Sequence, residues 1–177
     1  SFVFDYVTRN KIGGTNFSFY ILSQLPVLYP SEFFESEHLL WKRFSDFYVN
    51  DFIISRLMEL IYSNWEFSCL AKEYNFQDIP LKWDSERRFI IRCELDALYF
   101  HLYGINRDDV DYIMETFPIV KRKDVTKYEE YKTKQVILEI YDAMQQAIDT
   151  GQPYQTRLDP PPADPNLCQP SKDVLVV

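Results

Sequence analysis

Metal binding, phosphate cradling and nucleophilic attack each need particular side chains at particular spacings, and this sequence supplies few of them. Its two histidines, His38 and His101, lie far apart and neither belongs to a metal-ligand motif. His101 sits among apolar neighbours, which reads as a hydrogen-bonded structural histidine. Cys69, Cys93 and Cys168 share no metal-like spacing, and their odd number suits a reducing cytoplasm. The four glycines, Gly13, Gly14, Gly104 and Gly151, cannot be assembled into a phosphate-cradling loop. Serine- and cysteine-nucleophile signatures are absent.

Two strings come nearer to a catalytic motif. Asp159-Pro160-Pro161-Pro162 matches three of the four places of the Asp/Asn-Pro-Pro-aromatic tetrapeptide that grips a flipped base for amino-group methylation. Its fourth residue is a proline without a π-face, and it lies in a proline-rich tail rather than after a strand. The match reads as coincidence. Glu130-Tyr131-Lys132, with Asp111 and Asp124 upstream, has the Glu-x-Lys form of many Mg²⁺-dependent nucleases. Those enzymes hold such residues on adjacent strands; loop and helix start are expected here, so a solvated charge run is the simpler reading. Asp108, Asp109 and Asp111 suit helix capping better than a hydrolase site.

What remains is charge able to touch a phosphate backbone. Lys121, Arg122, Lys123 and Lys127, with Lys132 and Lys134, form the one basic concentration, expected in a solvated loop and diluted by Asp124, Glu129 and Glu130. Arg9, Asn10 and Lys11, with Thr15 and Asn16 around Gly13-Gly14, form a second candidate. Arg and Asn can read base edges, although Asn-Lys-x-Gly-Gly is also ordinary turn chemistry.

Composition limits what such patches can mean. The chain has 177 residues, enough for one domain or slightly more. A formal net charge of −8 argues against a free-standing nucleic-acid-binding domain. Aromatics at 17% exceed common usage, which fits an aromatic-rich core with part of the excess facing the rest of a larger protein. No run of about eighteen apolar residues exists to span a membrane. Ser1-Phe2-Val3-Phe4-Asp5-Tyr6 reads like a strand already under way, with no signal peptide, so the chain is expected to be the C-terminal piece of a larger protein.

The elements that must position these residues follow from periodicity. Residues 1–30 read as two short extended segments around a glycine turn, the second alternatively a helical turn before Pro26. Residues 31–44 read as a connector. Ser45 can cap a helix burying Val49, Phe52, Ile53, Leu57, Leu60 and Ile61, and a loop-rich stretch runs on to Trp83. A central helix follows over 85–103, with Arg88, Arg92 and Asp96 on a polar edge able to pair. Gly104, Ile105 and Asn106 predict an αα-hairpin, whose second helix ends at Pro118. A last helix spans 133–149, stopped by Gly151 and Pro153. The expected fold is mainly α (α+β at most): a helical bundle-like domain over 36–150, preceded by a short β/turn segment (1–35) and followed by an extended or disordered Pro-rich tail (151–177).

Several strings together resemble the C-terminal region of large bacterial Eco57I-like N6-adenine DNA methylases of restriction-modification systems. The first are Phe4-Asp5-Tyr6-Val7, Gly13-Gly14-Thr15-Asn16-Phe17 and Ile21-Leu22-x-Gln24-Leu25-Pro26-Val27. Downstream are Trp83-Asp84-x-Glu86-Arg87-Arg88-Phe89, Glu94-Leu95-Asp96-Ala97, Leu102-Tyr103-Gly104 and Tyr112-Ile113. Phe117-Pro118-Ile119-Val120-Lys121-Arg122-Lys123 and Thr150-Gly151-Gln152-Pro153-Tyr154-Gln155-Thr156 complete the likeness. The resemblance implies a noncatalytic piece for DNA target recognition or scaffolding, with 1–35 ending a recognition region. It also implies a methylase core upstream that uses S-adenosylmethionine, double-stranded DNA as the parent's partner, and no cofactor in this piece. A protein–protein interaction module is the other reading of the same residues.

Overall fold

Residues 1–12, 17–28 and 49–170 are described by the computed structural model. Their helices are α1 (Phe2–Lys11), α2 (Phe19–Leu22), α3 (Val49–Ile61), α4 (Ser68–Glu73), α5 (Ser85–Leu102), α6 (Arg107–Glu115), α7 (Pro118–Tyr128) and α8 (Lys132–Thr150). No strand occurs among the described residues, so the mainly-α expectation holds. None of these helices is long and apolar enough to cross a membrane.

The bundle is organised around α5. Asp84 caps it by accepting the Arg87 N–H at 2.9 Å, and Ile91, Ala97, Leu98 and Phe100 are wholly buried. A helix apolar on more than one face needs neighbours on each. α5 packs most extensively on α8, whose Ile137, Ile140 and Met144 are likewise buried; α6 and α7 also pack on α8, and α3 and α1 pack on α5. His101 stacks on the Tyr141 ring at 3.9 Å, with Nε2 3.1 Å from the Tyr141 carbonyl, a structural role.

The hairpin between α5 and α6 forms as its residues predict. Gly104 takes φ +64°, the Ile105 N–H donates to the Phe100 carbonyl at 3.0 Å, and Asn106 Oδ1 accepts the Asp109 N–H at 2.9 Å. A Cβ at Gly104 would meet nothing within 4 Å, so the requirement for glycine there is one of backbone conformation alone.

Three expectations need correction. The first of the two expected extended segments is helical: residues 2–11 form α1. Phe2 to Val7 is apolar at nearly every place, so a two-residue and a 3.6-residue period fit it equally. The helix buries Val3, sets Phe2 edge-on to Phe117 at 4.8 Å, and closes an Asp5–Arg9 pair at 2.5 Å one turn apart. The second segment is the helical turn of the alternative reading, capped by Ser18. The loop before Trp83 contains a 3₁₀ turn, Trp65–Phe67, and α4. The second helix of the hairpin stops before Pro118 as expected, but the solvated loop expected after it is helical over 118–128: Pro118 is the first residue of α7, where its missing N–H has no helical partner to lose. The glycine turn, the connector at 31–44 and the Ser45 cap lie outside the described residues.

A polar seam joins α3, α5 and the arm that follows α8. Glu94, wholly buried in α5, accepts Arg56 Nε at 2.7 Å, the Tyr154 hydroxyl at 2.9 Å and the Thr156 hydroxyl at 2.6 Å. Glu59 accepts the Arg87 guanidinium and, at 3.1 Å, the Ala163 N–H. Leu158 is buried against the main core, and the arm continues to an antiparallel bridge between Cys168 and Leu81. The arm is thus extended and held to the bundle as far as residue 170.

Candidate nucleic-acid interface

The two basic stretches meet through packing that neither stretch encodes by itself. α1 lies against α5 and α6, anchored at its start by the Phe2 N–H, which donates to Asp96 Oδ1 at 2.8 Å. Burial lifts the Asp96 carboxyl to about 6, against the Phe2 N–H bond and Arg92. The expected pairing along the edge Arg88, Arg92, Asp96 gives way to docking. Asp96 holds α1, while Arg88 lies over the Trp83 ring at 3.7 Å and donates to the Glu59 carbonyl at 3.3 Å.

At its other end α1 brings Arg9 over the Phe117 ring, 4.5 Å from the centroid. The Phe117 carbonyl accepts the Lys121 N–H at 3.1 Å, so Arg9 adjoins the first turn of α7. Asn10 is turned back on its own helix, donating to the Tyr6 carbonyl at 3.0 Å, and Lys11 is exposed at the helix end. Thr15 and Asn16 lie outside the described residues.

Along α7 the cations differ in how they are occupied. Lys121 pairs with Glu115 at 2.6 Å, and bonds from Lys121 and Lys134 hold the Glu115 carboxyl below its ordinary range. Lys127 donates to the Tyr128 hydroxyl at 2.7 Å, which raises its ammonium above its usual value. Arg122 and Lys123 are exposed and make no ion pair with any described residue. Asp124 is turned inward and accepts the Thr133 N–H at 2.6 Å, which caps α8 and removes one negative charge from the outer face.

The nuclease-like set is dispersed by this arrangement. Asp111 pairs with Lys134 at 2.9 Å, Asp124 caps α8, and Lys132 lies 3.6 Å from Glu86 and 4.2 Å from the Tyr128 ring centroid. No group of three or more His, Cys, Asp or Glu side chains able to hold a metal occurs among the described residues. Asp159-Pro160-Pro161-Pro162 belongs to the arm, where the Pro161 carbonyl accepts from Arg87 at 3.1 Å.

Sequence reasoning passed over the polar seam, although a signal existed. Arg56 and Glu59 lie on the stripe of Phe52 and Ile53, and Glu94 lies on that of Ile91 and Leu98. A charge on an apolar stripe must find a partner inside. No family model, curated protein or solved structure matches this chain.

Proposed function

We propose that the chain is a noncatalytic helical segment of a restriction-modification adenine-N6 DNA methyltransferase, where it contacts duplex DNA through phosphates beside the target-recognition region. One observation supports this reading above others: Arg9 adjoins the first turn of α7, whose Arg122 and Lys123 make no ion pair with any described residue of a protein of net charge −8. Unpaired cations kept at one edge of an acidic protein suit a polyanion held locally and oriented by repulsion elsewhere. Methyl transfer from S-adenosylmethionine belongs to the parent's core upstream, and the setting is the cytoplasm.

Duplex binding by the chain, titrated from low to physiological salt, tests the reading. Affinity that falls steeply with salt, and falls further in Arg122→Glu/Lys123→Glu, supports it; no binding at low salt contradicts it. A second reading, docking on another domain or subunit, is favoured by Phe19 and Tyr20, which are 83% and 74% exposed on α2. Under that reading Phe19→Ser/Tyr20→Ser abolishes association with the methylase core and leaves DNA affinity unchanged.

A further inference from the structure

The cleft between α3 and the arm is built around a cation that its neighbours do not saturate. It encloses about 610 Å³, within the range of small-molecule sites. Asp51, Ser55 and Arg56 of α3 line one wall, and Pro153, Pro161 and Pro162 of the arm line the other. The Arg56 side chain is 5% exposed; its Nε is committed to Glu94 at 2.7 Å and its Nη1 to the Phe52 carbonyl at 3.2 Å. Its Nη2 has no hydrogen-bond partner among the described residues. Thr8 Oγ1 and Gln77 Nε2 are the buried side-chain polar atoms lacking a partner there, so Nη2 is not sealed from solvent. Arg56 is among the residues that line the cleft.

The charges around the cleft select the ligand. Glu94 compensates Arg56 and Glu59 compensates Arg87, while Asp51 adds an exposed carboxylate at the rim. An anion would therefore meet no uncompensated positive charge, and a cation would leave Nη2 unsatisfied. An uncharged carbonyl accepts from Nη2 without upsetting that balance, and an amide N–H beside it suits Asp51. The proline side chains of the other wall present apolar surface to a planar body. We infer that this cleft binds a small uncharged amide, its carbonyl oxygen on Arg56 Nη2 and its apolar part against the arm prolines.

Three probes of one shape and different charge test this: benzamide, benzoate and benzamidine, titrated into the ¹⁵N-labelled full chain. Benzamide is expected to shift the Ser55, Arg56 and Thr156 amide signals saturably. Benzoate and benzamidine are expected to bind about tenfold more weakly, the equivalent of one charge-assisted hydrogen bond. Ser55→Phe fills the cleft from the α3 side, keeps the Arg56–Glu94 pair, and is expected to abolish the benzamide shifts; if it does not fold, Pro161→Trp does the same from the arm side. Equal binding of benzoate or benzamidine, no saturable shift with any probe, or undiminished benzamide binding in a folded cleft-filled variant overturns the proposal.

Discussion

The seam between α3, α5 and the arm and the outer edge of α7 are both rich in charge, and they handle it in opposite ways. In the seam, Glu94 is wholly buried and accepts three donors, and Glu59, also buried, is shared between Arg87 and the Ala163 N–H. On α7, Arg122 and Lys123 are exposed and make no ion pair with any described residue. A buried charge has to be matched because desolvation is costly, so matched charges report how the bundle is held together. An exposed charge carries no such obligation. Under the proposed function, the two cations of α7 that no described residue pairs are available to phosphate.

Breaking the seam carries the largest effect. Glu94→Ala leaves Arg56 buried without its counter-charge and is expected to cost about 3–5 kcal/mol in urea unfolding. Replacing both partners, Arg56→Met with Glu94→Leu, is expected to recover most of that loss. A Glu94→Ala chain within about 1 kcal/mol of the parent would erase the contrast between the two regions. Tyr154→Phe and Thr156→Val each remove one donor to Glu94 Oε1 and are expected to cost about 1–3 kcal/mol. Because both act on the same oxygen, the double variant should depart from the sum of the singles.

The Asp96 anchor of α1 sharpens the comparison through pH. Its carboxyl is raised to about 6 chiefly by burial, against about 3.9 for an unfolded aspartate. The folded chain therefore holds this proton more tightly than the unfolded one. The associated stability is fully present below about pH 4 and is lost as pH rises through about 6. Urea midpoints across pH 4–7 should fall in the parent relative to Asp96→Asn as pH rises; parallel curves would rule this out. The smallest effect on stability is expected on α7, where Arg122→Glu/Lys123→Glu should stay within about 0.5 kcal/mol. The same pair should reduce the salt slope of DNA binding by about 2 if both residues neutralise phosphates.

Legibility in the sequence followed the range over which each signal acts. The αα-hairpin was readable because Gly104, Ile105 and Asn106 act on their immediate neighbours. The first helix was not, because an almost uniformly apolar run carries no period and only docking on Asp96 and Phe117 decides it. Pro118 marks the end of α6 legibly, but that it also begins α7 is hidden, because the charged run after it carries little apolar stripe. The residue types of the candidate interface were visible in the chain. The approach of Arg9 to α7 was not, since it depends on Phe117, more than a hundred residues later. The seam was hidden for the same reason: Glu94 finds Arg56 38 residues before it and Tyr154 60 residues after it.

That last separation bears on how the chain is made. A nascent chain leaves the ribosome at about 5–20 residues per second, so Tyr154 follows Glu94 by several seconds. During that interval α3 and α5 can form and collide, but the glutamate between them still lacks both hydroxyl donors of the arm. The helices can assemble early as a loose, hydrated intermediate. The dry interior closes only when the trailing strap is delivered, so a pause in translation before residue 154 would prolong a state open to proteolysis and aggregation.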